Sequence, residues 1–333
     1  MKAVVLVGGF GTRLRPLTLN VPKQMLPVVG VPMIERVIAS LGAHGVTTAV
    51  LSLGYKPDEF LAAYPNGQCA GVELLYAVEP EPLDTAGAVR FAAVEAGFDE
   101  TFIVVNGDVL TDLNVREVWD FHHSVGAEGT IALTPVDDPS RYGVVPIDER
   151  GRVEAFVEKP APGTAPTNWI NAGTYILEPS VLQRIASDRK VSIEREVFPA
   201  MVDDQKLYAM QSSAYWIDAG TPQTYIQAQL DLVDGVRGSE KAIADSAQIE
   251  DSATVTHSVV GEHVVIGNGA HIADSVIGAG ATIGPGVRIH SSVVADGARI
   301  GPDCVIENFS VVGARYELEA RRTLSDEKVP SSD

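Results

Sequence analysis

The stretch AVVLVGGFGTRLRPLT (residues 3–18), with Lys23 following in VPKQMLPV (residues 21–28), decides how the chain is read. The apolar run Ala3–Val7 leads into glycines and then cations. That order reads as a buried strand, a glycine-rich loop and two positive side chains. Gly8, Gly9 and Gly11 carry no Cβ, so the backbone there can take φ > 0 and come close to a ligand. Their amides can form a concave anion site. Arg13 offers a planar fork to phosphate oxygens, and Lys23 a compact point charge. The loop therefore has the parts needed to hold a polyphosphate. It is neither GxxxxGK[ST], which occurs nowhere in the chain, nor GxGxxG, since Leu14 stands where a third glycine would be.

Outward from this loop, short apolar runs alternate with amphipathic stretches as far as residue 235. Residues 3–7, 48–53, 72–77 and 101–106 read as strands, and 33–45, 85–97 and 115–126 as helices. Such alternation predicts an α/β domain, a Rossmann-like doubly wound and mostly parallel sheet over residues 1–235. Ligands of these sheets bind beyond the carboxyl ends of the strands. The glycine loop after the first strand and Asp108 after the fourth both fall on that edge. Residues 129–178 are richer in strand patterns and read as an added lobe.

From residue 243 the texture changes. Apolar residues stand at Ile243, Ile249, Val255, Val260, Ile266, Ile272, Ile277, Ile283, Ile289, Val294, Ile300, Ile306 and Val311, in steps of 6, 6 and 5. Small residues such as Ala247, Ser258, Ser275, Ser292 and Cys304 precede most of them by two positions. A 17-residue superperiod with local alternation cannot be helical. It reads as a triangular parallel β-solenoid of about four coils over 243–313, with Ile and Val filling its interior. The charged segment 314–333 reads as a tail whose end is disordered.

Bulk properties narrow the function. No apolar run approaches the ~20 residues of a membrane span. Cys69 and Cys304 are the only cysteines and lie far apart, which speaks against a disulfide framework and fits a reducing cytoplasm. The formal charge of −19 opposes general nucleic-acid binding. An anionic substrate meets net repulsion, so a local cluster such as Arg13, Arg15, Lys23 and Lys159 must hold it, with help from a divalent metal. The seven histidines show no strong metal-ligand spacing.

The signature GGFGTRLRPLT…PKQMLPV resembles the N-terminal motif of the sugar-nucleotide pyrophosphorylases, or nucleotidyltransferases. The resemblance continues through NGD (106–108), EKP (158–160), NAGTYI (171–176) and WIDAGTP (216–222), in order along residues 1–235. The C-terminal repeat resembles the left-handed β-helix of hexapeptide type that several members carry. Within the family the resemblance leans to the mannose-1-phosphate guanylyltransferases.

The resemblance implies transfer of a nucleotidyl group from an NTP to a sugar 1-phosphate, with release of pyrophosphate. It makes Arg13, Lys23, Asp108 and Asp218 the catalytic residues, with Asp108 and Asp218 as ligands of Mg²⁺. Gly8, Gly9, Gly11, Thr12, Glu79, Asp84, Thr85 and Gly107 would face the nucleotide. Gly143, Glu158, Lys159, Asn171, Gly173 and Glu194 would face the sugar phosphate, which makes the lobe of residues 129–178 sugar-facing. Tyr142, Phe156, Trp169 and Trp216 read as packing aromatics.

A carboxylate only accepts hydrogen bonds, and guanine presents adjacent N1–H and N2–H₂ donors, so Glu79 favours guanine. A small shift in alignment would move that role to Glu81. Asp84 stands where the family has glycine, in LDTAG rather than LGTAG, and Asp tolerates φ > 0 better than most residues. The substrates are then an NTP, with GTP favoured, and a sugar 1-phosphate, with mannose 1-phosphate favoured. Neither nucleic acid nor membrane is expected as a partner, and the solenoid would mediate homo-oligomers. Three alternatives stay open. The chain could be a thymidylyl- or uridylyltransferase acting on glucose 1-phosphate. It could be a non-catalytic sugar-nucleotide-binding subunit. It could carry a second acyltransferase activity on the solenoid.

Overall fold

The computed structural model describes residues 1–331. Its contacts divide the chain into two compact units that do not follow sequence order. One comprises Met1–Gly9 and Ile34–Trp216; the other comprises Phe10–Met33 and the chain from Ile217 on. The glycine loop is thus shared, with Gly8 and Gly9 in the first unit and Gly11 to Lys23 in the second.

The first unit is built on a ten-stranded sheet. Lys2–Leu6 lies at its centre, parallel to Thr48–Leu53 on one side and Phe102–Asn106 on the other. Val72–Val78 continues the parallel run. Ala3, Val4 and Val5 are fully buried, as a parallel strand covered on both faces requires. Helices Met33–Ala43, Asp84–Glu95 and Val115–Val125 form where the amphipathic patterns placed them. The strand-rich stretch does not stand apart as a lobe. Trp169–Leu177 joins the same sheet, antiparallel to Phe102–Asn106, and Gly129–Pro135 and Leu207–Gln211 extend it from there. Gly143–Val144 and Val157–Glu158 close that edge. One core runs through this unit, from Val4 and Val50 to Tyr175 and Phe198.

The second unit holds the segment 10–33, the helix Pro222–Val233 and the solenoid. Thr221 caps the helix, and its hydroxyl and that of Thr224 each meet the other's backbone N–H. Among the described residues the solenoid has three parallel sheets of five short strands each, one on every face, as in a left-handed parallel β-helix. Val255, Ile272, Ile289, Ile306 and Leu324 stack in register along one interior row. The small-residue slots have a polar reason: Ser258 Oγ accepts from Ser275 N, and Ser275 Oγ from Ser292 N, one coil on in each case.

The repeat runs further than the sequence pattern placed it. Instead of about four coils ending near 313 with a tail beyond, Glu317–Leu318, Thr323–Ser325 and Lys328–Val329 add a fifth strand to each face. Asn308 and Phe309, both at positive φ, accommodate an extra residue in the fourth coil. Val312 therefore stacks on Val294, where the 17-residue step points to Val311. Leu318 and Leu324 are buried among exposed arginines and acids, which hid the last rung as a charged tail. The expected terminal disorder falls on residues beyond 331, outside the described residues.

Candidate active site

In the second unit the signature segment leaves the glycine loop through a tight turn. Gly11 has φ 61°, and a Cβ there would lie 2.9 Å from Thr18 Cγ2 and 3.2 Å from Lys23 Cβ. Only glycine fits this position. Thr18 Oγ1 donates to Gly11 O (2.8 Å), and the 3₁₀ turn Thr12–Leu14 follows. Gly8 and Gly9, by contrast, do not use the left-handed region. A Cβ on Gly9 would meet nothing within 4 Å, so the protein's own packing does not demand glycine there.

The turn sets Arg13 beside Asp218, Nη2 to Oδ2 at 3.7 Å. Gly220 makes room for this pair: a Cβ there would lie 2.7 Å from both Arg13 Nη2 and Asp218 Oδ1. Lys23 is buried, and burial lowers its pKa to about 8, with Asp218 raising it and Arg13 lowering it further. Among the described residues four buried side-chain polar atoms accept or donate no hydrogen bond. Three of them, Arg15 Nε, Gln24 Oε1 and Asp218 Oδ1, belong to this region. Native proteins rarely leave such groups unpaired without a ligand or functional reason. Thr12, Arg13 and Lys23 thus lie on the signature segment, and Asp218 comes beside Arg13. Gln24 and Gly220 are residues the sequence reading missed. The first is marked only by its place beside Lys23, the second by the WIDAGTP motif.

The first unit carries the remaining candidates. Glu79 follows the strand Val72–Val78, with Oε1 accepting from Ser52 Oγ (3.0 Å) and Oε2 from Leu83 N (3.1 Å). Gly8 lies against it, a Cβ there falling 3.4 Å from Oε1. The carboxylate thus sits at the glycine loop with one lone pair of each oxygen already used. Glu81 is exposed. Asp84 has φ 63°, the left-handed conformation that explains a glycine in the family pattern. Its Oδ1 accepts from Thr85 N. Thr85 Oγ1 donates to Glu194 Oε2 (2.7 Å) and accepts from Ile193 N, so a nucleotide candidate and a sugar candidate are bonded to each other. Gly107 N donates to Leu6 O, which fixes the turn that carries half-buried Asp108.

Around the strand Trp169–Leu177 the sugar-side candidates gather. Gly173, at φ 74°, forms an irregularity in the strand, and a Cβ there would sit 2.5 Å from Asn106 Nδ2. Asn171 holds this kink: Oδ1 accepts from Gly173 N, and Nδ2 donates to Tyr175 Oη. Gly143 pairs with Glu158, and a Cβ there would collide with Phe156 at 2.6 Å. Exposed Lys159 has its Nζ 3.3 Å from Oε1 of half-buried Glu158. Trp216 Nε1 donates to Ala172 O, and its ring meets Tyr142 edge-on. Phe156 packs on Phe198.

The sequence profile of the nucleotidyl transferase family matches residues 2–235. The chain belongs to that family. A second profile, the EIF2B subunit epsilon LbH domain, matches residues 222–324. The mannose-1-phosphate guanylyltransferase of Mycobacterium tuberculosis is 40% identical over 281 residues, 81% of this chain and 77% of that one. The mannose-1-phosphate guanyltransferase of Hypocrea jecorina is 45% identical over 232 residues, 68% of this chain and 62% of its own length. Among solved structures, HddC from Yersinia pseudotuberculosis complexed with GMP-PN is similar with a TM-score of 0.58 and 32% identity, covering 68% of this chain and 97% of that one.

Proposed function

We propose that this nucleotidyl transferase uses GTP and mannose 1-phosphate, giving GDP-mannose and pyrophosphate. The observation that carries the chemistry is the cluster of buried Lys23, exposed Arg13 and Asp218, whose Oδ2 faces Arg13 and whose Oδ1 has no hydrogen-bond partner. The relatives' names and the GMP-PN complex of HddC support guanine and mannose. The carboxylate of Glu79 against the glycine loop supports guanine from the chemistry of this chain.

The nucleophile is an oxygen of the sugar phosphate, already anionic, so no residue needs to act as general base. The work of the protein is positioning and charge neutralisation. Arg13 and Lys23 meet charge that grows on the departing pyrophosphate as the Pα–O bond breaks. The Glu158–Lys159 pair opens at small cost, because the exposed Lys159 ammonium is readily solvated. That frees Lys159 for the incoming phosphate and Glu158 for sugar hydroxyls. A buried carboxylate oxygen without a donor fits a hard divalent cation, and Asp218 would hold it. Bound there, Mg²⁺ supplies charge neutralisation to the reacting phosphates.

The deciding experiment measures pyrophosphate release for four NTPs against a set of sugar 1-phosphates. GTP with mannose 1-phosphate should give the highest kcat/KM. A preference for dTTP or UTP would overturn the guanine reading, and a preference for another sugar the mannose reading.

A further inference from the structure

The segment that carries Arg13 and Lys23 belongs to the same compact unit as the solenoid, and the last rung of the solenoid touches it directly. Lys328 Nζ donates to the main-chain carbonyl of Arg13 at 2.7 Å. Nearby, Gly313 lies against Pro16: a Cβ there would sit 3.1 Å from Pro16 Cγ and 3.2 Å from Pro330 Cδ. Both contacts start from the paired strands of the solenoid's last rungs. Lys328–Val329 pairs with Val311–Val312, and Val312 is fully buried in the solenoid core. On the other side, the peptide that Lys328 grips leads from Arg13 into Leu14, within a turn only three residues long. Fixing that carbonyl fixes the direction in which the Arg13 side chain leaves the backbone.

We propose that Lys328 is a positioning residue for nucleotidyl transfer. From the end of the β-helix it holds the Arg13 peptide in the orientation the transition state needs. The inference rests on the reading of Arg13 given above. It makes the β-helix part of the reaction apparatus rather than an assembly element alone. Lys328 itself is exposed and sits on the outside of a completed rung, so the solenoid interior does not depend on its side chain.

The test uses the full chain with Lys328→Met and Lys328→Arg, each in the wild-type and Arg13→Ala backgrounds, and the best NTP and sugar 1-phosphate pair. A hydrogen bond from a charged group, weakened by exposure, sets the size of the effect. Lys328→Met should lower kcat by about 3- to 10-fold while the KM for NTP moves less than about twofold. Lys328→Arg, which keeps a cationic donor, should return kcat to within about twofold of wild type. In the Arg13→Ala background Lys328→Met should change nothing further, because its effect passes through Arg13. Thermal midpoints of all variants should stay together. The same fold loss in both backgrounds, or a loss that tracks the midpoint, overturns the proposal. If Arg13→Ala is slow and Lys328→Met runs at the wild-type rate, this inference alone fails. If Arg13→Ala runs at the wild-type rate, the catalytic reading of Arg13 fails and takes this one with it.

Discussion

The two sets of candidate residues differ in how their polar groups are satisfied. In the segment around Arg13, Lys23 and Asp218, charge is buried or close-packed and several atoms lack partners, Asp218 Oδ1 among them. Around Asn171, Gly173, Thr85 and Glu194, the polar side chains are bonded to one another or to the backbone. The first arrangement is costly without a ligand and so is built to receive one. The second is a scaffold that holds a shape and trades bonds with a ligand one at a time. Substitutions should therefore strike turnover in the first set, and selectivity or affinity in the second.

The strongest test of that contrast is Asp218→Asn. It preserves the shape but removes the charge that faces Arg13 and Lys23, and with it the oxygen suited to a cation. Turnover should fall on the order of 10³-fold, and a chelator should abolish the wild-type activity. Pyrophosphate release at saturating NTP and Mg²⁺ checks both. A variant within tenfold of wild type would show that the unpaired oxygen has no part in the reaction.

Arg13→Ala comes next. Arg13 is exposed and fills no core, so the fold should survive. Loss of one donor to developing charge typically costs ~10²–10³ in kcat, with KM little changed. A raised KM at constant kcat would move Arg13 from the turnover set to the affinity set and blur the division between them.

Most of this architecture is visible in the chain itself, because it rests on local patterns. The apolar runs gave the central strands, and the steps of 6, 6 and 5 gave the solenoid. Asp84 at positive φ accounts for the family's glycine from backbone geometry alone. What stayed hidden depends on partners distant in sequence. Nothing in residues 10–33 announces that they pack with the chain beyond Ile217. The fifth rung was masked because a solenoid strand needs only one inward residue: Leu318 and Leu324 suffice, and the charges around them point outward. The orphaned Gln24 Oε1 and the space at Gly220 are properties of packing, and no spacing rule encodes them.

Glu79→Gln probes the other set. Glu79 is tied to Ser52 and Leu83, so its loss of charge should leave turnover of the best substrate within about tenfold while changing the choice of base. The amide can donate to a pyrimidine carbonyl, whereas the carboxylate can only accept from guanine. The ratio of kcat/KM for GTP to that for dTTP should fall by about tenfold or more. An unmoved ratio would pass the role to Glu81 or to the backbone around Asp84.

The smallest effect, and the finest discrimination, lies in the pH dependence of Lys23. Burial lowers its pKa from 10.5 to about 8. The ammonium form is present below that value and lost above it, so kcat/KM for NTP should be level at neutral pH and decline as pH rises through about 8. Bound polyphosphate favours the cation, so the decline in kcat should lie at higher pH than the decline in kcat/KM. Stability should move the opposite way. Between about 8 and 10.5 the unfolded chain holds a proton on Lys23 that the folded chain does not, so this residue's contribution to stability improves as pH rises through that window. Lys23→Arg keeps its charge throughout, and should remove both the alkaline decline in kcat/KM and the stability gain. Glu79→Gln should keep both. Rate and melting profiles of the three proteins from pH 6 to 10 separate these cases. An alkaline decline that survives in Lys23→Arg would assign it to a different group, and the buried cation would lose its claim to the phosphate.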